Sequence, residues 1–171
     1  MKIYDVSKIV SGNVLGIGVD EKISEILEQN DRVLNCNLLN SFSNTNNTKD
    51  GKKEKLKKIR IKKLRKVFKK KKVDYIICNI NEIKKYMKTF VKDSIYINKE
   101  ILYIYNLKDE EYKKELIKKY KRYNTKIEEL DDETLKIDNS NAKTNIIKDS
   151  FYLIVDTLTS LFNIISDLLL N

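Results

Sequence analysis

Short apolar runs and longer amphipathic stretches alternate along the first 125 residues of the chain. Apolar runs, which are typical of buried strands, occupy residues 14–19, 73–79 and 101–105. Residues 32–37 also have strand character, and 95–97 predict a short strand or turn. Apolar residues recur at helical spacing in 21–30, 81–90 and 109–123. Strands that alternate with helices need crossover connections, so the pattern predicts an α/β fold with a mostly parallel sheet flanked by helices.

The last 45 residues show two further patterns. Residues 126–130 and 134–137 flank Asp131-Asp132-Glu133 and predict an antiparallel hairpin at the sheet edge. Residues 146–170 predict a C-terminal amphipathic helix, whose apolar positions are Phe151, Ile154, Leu158, Leu161, Ile165 and Leu168. Two carboxylates, Asp156 and Asp167, lie opposite this stripe and interrupt the apolar run, and no cationic cluster flanks the run, so we expect no membrane span. The stripe packs within the domain, or it forms a homodimer through the C-terminal helix.

Length and composition indicate one domain spanning 1–171. A chain of 171 residues with 41% apolar residues can bury a core without disulfides or metals. Residues 39–51 are rich in Ser, Asn and Thr and predict a mobile loop. Residues 52–72 predict a basic helix with one apolar face.

Cysteine and histidine usage excludes several kinds of chemistry. Cys36 and Cys78 lie in apolar runs, where reduced thiols act as small hydrophobes. Because the chain has no histidine, the usual zinc sites and Ser-His or Cys-His nucleophiles cannot be assembled. No phosphate loop ending in Gly-Lys-Ser/Thr is present, and the first ten residues resemble neither a signal nor a transit peptide. We therefore expect a cytoplasmic protein without a metal.

The clearest candidate site is the glycine turn at Gly16-Ile17-Gly18, which closes the first apolar run before a helix capped by Asp20. Glycines there let a backbone approach a ligand, or they simply make the turn. In open parallel sheets the ligand crevice lies at the carboxyl ends of the central strands. Gly18, Asn37 and Asn79 are all expected at that edge.

The run Val14-Leu15-Gly16-Ile17-Gly18-Val19-Asp20 resembles the first motif of class I S-adenosylmethionine-dependent methyltransferases, which reads Val-Leu-Asp-Leu-Gly-Cys-Gly. The resemblance spans residues 12–106. It keeps the motif glycine at Gly18, whereas Gly16 replaces the acidic residue and Asp20 replaces the second glycine. Asn37 stands where the family's carboxylate holds the ribose hydroxyls, and an amide accepts hydrogen bonds more weakly.

Two further features bear on what this resemblance implies. Asn79-Ile80-Asn81-Glu82 stands where amino-group methyltransferases carry Asn/Asp-Pro-Pro-aromatic, and the family's third strand is missing. The hairpin at 126–137 matches the family's antiparallel edge. The resemblance thus implies a Rossmann-like fold with a cofactor site at Gly16, Gly18, Asn37 and Asn79. It predicts a degenerate, non-catalytic binding or interaction module without a cofactor; the alternative is an active methyltransferase that uses S-adenosylmethionine in an atypical pocket.

A second alternative is a nucleic-acid-binding protein. The net charge is +10, and residues 52–72 contribute fourteen basic residues against one acidic, or +13, which leaves −3 for the rest. Such a patch attracts the phosphates of RNA or DNA, with Lys57, Lys58, Lys62 and Lys66 as the candidate contacts. Phe68 is the one aromatic residue in the segment, so sequence-specific readout is not expected. The other interpretation is an ordinary solvated helix.

Overall fold

A computed structural model describes residues 2–39 and 64–142 of the chain. The helices are α1 (Ile3–Ile9), α2 (Glu21–Glu28), α3 (Leu64–Val67), α4 (Ile80–Ile83), α5 (Met87–Ile97) and α6 (Glu110–Lys121), with a 3₁₀ turn at Lys84–Tyr86 between α4 and α5. The strands are β1 (Gly12–Ile17), β2 (Val33–Leu39), β3 (Val73–Asn79), β4 (Asn98–Tyr105), β5 (Lys126–Asp131) and β6 (Thr134–Asp138). The predicted loop beyond Leu39, the basic helix as far as residue 63 and the C-terminal helix at 146–170 lie outside the described residues.

The six strands form one sheet in the order β2-β1-β3-β4-β6-β5. Strands β2, β1, β3 and β4 run parallel, whereas β6 runs antiparallel to both β4 and β5. The α/β class and the edge hairpin are therefore confirmed. Because β1 lies between β2 and β3, the connections leave β1 toward opposite sides of the sheet, which creates a switch point between β1 and β3.

Helices cover both faces of the sheet. On one face, α1 and α2 bury Val6, Val10, Ile23 and Leu27 against Val14, Ile77 and Tyr103 of the strands. On the other face, α3, α4, α5 and α6 bury a larger set that includes Leu64, Phe90, Leu116 and Tyr120 against Leu15, Ile76, Leu102 and Leu135. We call the second set of helices the large layer and the first set the small layer.

Local sequence explains where the longer helices begin. Asp20 accepts a hydrogen bond from the backbone N–H of Ile23 at 2.8 Å and starts α2, as its sequence position predicts. Asp109 does the same for α6 through the N–H of Tyr112 at 3.0 Å. Acidic residues open α6 and basic residues close it, which complements the helix dipole.

Several boundaries differ from the prediction. Helix α1 was not predicted, although Ile3, Val6 and Val10 recur at a helical spacing of three and four residues. Residues 95–97 form the last turn of α5 and not a strand, since α5 is buried on several sides and its apolar residues are not confined to one stripe. Strand β2 continues two residues past Asn37, so the prediction that Asn37 ends that strand is wrong.

The described helices are also short. Within residues 2–39 and 64–142, no helix is long and apolar enough to cross a membrane.

Candidate functional site

Gly18 follows β1 at the switch point, and the protein itself occupies the space around it. Its φ of +61° is a conformation that residues with a Cβ rarely adopt. A Cβ added at Gly18 would collide with Cγ of Glu82 and would lie 3.3 Å from Cβ of Asn79. The open space that a glycine leaves for a ligand is therefore filled here by the side chain of Glu82.

The backbone groups of Gly18 are also in use. Its N–H donates to the carbonyl oxygen of Leu39 at 2.8 Å, and its carbonyl accepts from the hydroxyl of Tyr105 at 3.2 Å. Burial raises the pKa of Tyr105, and the nearby charge of Asp20 raises this pKa further. Tyr105 thus stays protonated and keeps the carbonyl of Gly18 paired across the end of the sheet.

Gly16 lies inside β1, where it is paired with Leu38 on one side and Ile77 on the other. A Cβ at Gly16 would lie 2.7 Å from Cδ2 of Leu38 and 3.1 Å from Cγ2 of Val19. Both contacts are apolar. Glycine at position 16 therefore allows β1, β2 and the turn to pack closely against one another.

Asp20 stands where the methyltransferase motif has glycine, and its carboxylate has two intramolecular partners. One oxygen caps α2, as described above, and the other accepts from the hydroxyl of Tyr4 at 3.2 Å. The charge of Asp20 raises the pKa of Tyr4. The departure from the motif thus has a structural explanation, because Asp20 caps the first turn of α2.

Asn79 and Asn37 have different environments. Asn79 is the last residue of β3, and its side-chain oxygen accepts from the N–H of Asn81 at 3.1 Å, which caps α4. It lies against Gly18. Asn37 is exposed on β2 and is in register with Leu15, while Leu39 is in register with Ile17 at the strand ends. The structure therefore brings Gly18 and Asn79 together and leaves Asn37 two residues back from that edge.

The predicted basic helix at 52–72 is described only at its end, where Leu64–Val67 are helical and residues 68–72 are not, so the predicted end of the helix at residue 72 is wrong. Lys66 is exposed on α3, whereas Lys57, Lys58 and Lys62 lie outside the described residues. Arg65 fixes α3 on α5, since its Nε lies 2.7 Å from a carboxylate oxygen of Asp93 and its Nη2 donates to the carbonyl of Lys92 at 2.8 Å. Burial raises the pKa of Asp93, and Arg65 opposes that rise.

A concave site that the sequence reasoning missed lies beside the switch point, between the segments that follow β3 and β4. Its cavity has a volume of about 340 Å³. It is lined by Ile80, Asn81, Lys84, Asn106, Leu107, Lys108, Asp109 and Tyr112. The sequence does contain a signal for this site, namely the lysine and asparagine residues that follow two neighbouring parallel strands. Residues at such positions meet at the carboxyl edge of the sheet.

Hydrogen bonds within the lining fix the shape of this cavity, which we call the carboxyl-edge pocket. The hydroxyl of Tyr112 donates to the carbonyl of Lys84 at 2.7 Å, and the ammonium of Lys84 lies 5.6 Å from the ring centre of Tyr112. Burial raises the pKa of Tyr112 to about 12. The pocket thus offers two ammonium groups and two amides, which suit a small oxyanion such as phosphate or carboxylate.

Within the described parts of the chain, no group of three or more Cys, Asp or Glu side chains is placed to hold a metal ion. Burial raises the pKa of the half-buried Cys36 thiol to about 11. Burial also raises the pKa of Cys78. Neither thiol is therefore activated as a nucleophile, since the thiolate is the reactive form.

No protein-family model matches the chain, and no curated protein matches it.

Proposed function

We propose that this protein is a degenerate methyltransferase-like domain with a Rossmann-like fold that acts as a non-catalytic binding module. The arrangement of the sheet supports the kinship. The strand with Gly16 and Gly18 lies between the strand with Asn37 and the strand that ends in Asn79, and an antiparallel hairpin closes the other edge. Each of these relations is one that the resemblance implies.

The position of Glu82 over Gly18 is the main support for the proposed loss of cofactor binding. A cofactor held at such a turn needs the backbone to be open to it. Here Glu82 fills the space, and Tyr105 and Leu39 pair with the carbonyl and N–H of Gly18.

The rival function is an active methyltransferase. Engineered variants test whether the crevice at Gly18 is closed to S-adenosylmethionine, as we propose, or open to it. The double variant Asp20→Gly/Asn37→Asp restores two motif residues but leaves Glu82 in place, so we expect S-adenosylmethionine to leave its melting temperature unchanged. Adding Glu82→Ala should open the turn and produce a ligand-dependent rise in melting temperature. The matched control adds Glu111→Ala, which removes an exposed carboxylate from α6. A rise in the double variant alone would contradict the closed crevice.

We assign the ligand of the module to the carboxyl-edge pocket. It lies at the sheet edge where open parallel sheets bind ligands, and it offers the ammonium groups of Lys84 and Lys108. The carboxylate of Asp109 is committed to capping α6 through one oxygen. A small oxyanion therefore meets more positive than negative charge at this position.

A further inference from the structure

Charge is divided unequally between the two faces of the sheet. The segments of the large layer, 64–72, 80–97 and 110–121, carry fifteen basic and five acidic residues, or +10. Helices α1 and α2 of the small layer carry two basic and four acidic residues, or −2. The end of the basic segment, 64–72, supplies +6 of this charge, and the segments 80–97 and 110–121, which the fold places beside it, add +2 each.

Eight exposed lysines of this layer have no ion pair within the described residues, whereas several of its acidic residues are neutralised. Asp93 pairs with Arg65 at 2.7 Å, Glu115 with Lys119 at 3.1 Å, and Glu110 with Lys113 at 3.7 Å. Exposed lysines for which the described residues provide no ion pair are Lys66, Lys69, Lys70, Lys72, Lys85, Lys114, Lys118 and Lys121. We call these eight residues the lysine face.

The three segments form one continuous surface because the helices contact one another. Arg65 joins α3 to α5, and the hydroxyls of Ser94 and Tyr120 join α5 to α6 at 2.8 Å. The lysine face therefore spans neighbouring helices on a rigid support. A polyanion with regularly spaced charges can contact several of these ammonium groups at once.

The aromatic residues of the layer indicate which polyanion fits. Arg65 covers the ring of Tyr96 at 5.0 Å, Lys84 lies near the ring of Tyr112, and Phe90 and Tyr120 are fully buried. Of the two other rings, Phe68 packs against the core and Tyr86 is half-buried, so the six rings do not form an open platform on which unpaired bases could stack. This disfavours single strands and favours a duplex, which presents its phosphates without requiring base contacts.

An anionic membrane fits less well. Basic surfaces that bind membranes combine their charge with a row of apolar side chains that enter the lipid. Among the described residues of the large layer, Val67 is the one large hydrophobic residue that is well exposed, at 47%. A single valine provides little apolar area for insertion.

We propose that the lysine face binds the phosphate backbone of a nucleic-acid duplex without sequence preference. This proposal is independent of the carboxyl-edge pocket and of the cofactor crevice, which lie at the edge of the sheet. The attraction comes from release of counterions, so binding weakens steeply as salt rises.

The test is fluorescence anisotropy of labelled DNA and RNA duplexes of one mixed sequence, titrated with the full chain over a salt series. The variant Lys69→Gln/Lys85→Gln/Lys118→Gln removes one lysine from each segment. Each lost phosphate contact lowers the slope of log K against log salt by about 0.9, so the slope should fall by roughly 3. The matched control is Lys2→Gln/Lys8→Gln/Lys22→Gln, which removes the same charge from the opposite side and should leave the slope close to wild type.

Replacing the same three lysines by arginine keeps the charge and should preserve the slope, which separates loss of contacts from loss of folding. Equal slopes for wild type and the glutamine variant would overturn the proposal, because binding would then come from elsewhere in the chain. The absence of binding to either duplex at low salt would also overturn the proposal. So would tighter binding to the single strand, or binding only to vesicles that contain anionic lipid.

Discussion

The hydroxyl of Tyr105 at the end of β4 donates a hydrogen bond to the carbonyl oxygen of Gly18 at the end of β1, across 3.2 Å. Strand β3 lies between these two strands, so the bond bridges the switch point. Together with the side chain of Glu82, it closes the place where the resemblance to methyltransferases locates the cofactor. Both backbone groups of Gly18 are thus paired within the chain.

Removing this hydroxyl should lower stability. We expect Tyr105→Phe to reduce the free energy of unfolding by about 1 kcal/mol, because the carbonyl of Gly18 loses its partner. Urea denaturation monitored by circular dichroism measures the change. Tyr103→Phe is the matched control on the same strand, since the described residues give the hydroxyl of Tyr103 no hydrogen bond. Equal losses in the two variants would show that the bond to Gly18 contributes nothing specific.

The capping role of Asp20 predicts a second stability effect. Asp20→Ala should cost about 1 kcal/mol, since the N–H of Ile23 then loses its acceptor at the start of α2. Asp20→Asn keeps an oxygen in place and should cost less. Urea midpoints of the two variants provide the comparison. If asparagine proved as costly as alanine, the charge of Asp20 and not its cap would be the important feature.

Asp138 should make the domain sensitive to acid. Its carboxylate accepts hydrogen bonds from the N–H of Ser140 at 2.9 Å and from the hydroxyl of Ser140 at 2.6 Å, and these bonds lower its pKa below the ordinary 3.8. Because the folded pKa is the lower one, this stabilisation is present above 3.8 and is lost as pH falls through the folded pKa.

Ser140→Ala tests this contribution by removing the hydroxyl donor. We expect a lower free energy of unfolding at neutral pH and a smaller loss on acidification than in wild type. Urea denaturation at a series of pH values gives both quantities. An acid dependence as steep as that of wild type would show that the bond from the Ser140 hydroxyl does not hold down the pKa of Asp138.

The carboxyl-edge pocket predicts weak binding of inorganic phosphate. We expect shifts of the backbone amides of residues 80–84 and 106–112 in NMR titration with phosphate. Lys84→Gln/Lys108→Gln should abolish these shifts, whereas Lys114→Gln on the exposed side of α6 should leave them unchanged. Shifts that spread over all exposed lysines, or that survive the double substitution, would argue against a ligand site in this pocket.

The sequence predicted the parts of the fold that depend on local pattern. Strand β3 was located at both ends because a continuous apolar run bounded by Lys72 and a capping asparagine leaves little choice. The cap at Asp20 and the hairpin at 126–137 could likewise be predicted, because both depend on residues close in sequence. Residues 95–97 were misassigned because a run of three apolar residues at the buried end of a helix is too short to reveal its period.

The site was harder to predict because its residues come from distant parts of the chain. Gly18 and Asn79 could be placed at one edge from the parallel topology alone. The side chain that fills Gly18 belongs to Glu82, and its direction depends on how α4 packs after β3. Tyr105 reaches Gly18 from 87 residues away. Such contacts are set by tertiary packing, which periodicity does not encode.

Isothermal titration calorimetry of the unmodified protein with S-adenosylmethionine tests the central claim most directly. The turn at Gly18 is filled and its backbone is paired, so we expect no saturable heat and an affinity weaker than about 1 mM, or about −4 kcal/mol. Saturable binding in the micromolar range would contradict the closed crevice and would identify the protein as a cofactor-binding methyltransferase candidate.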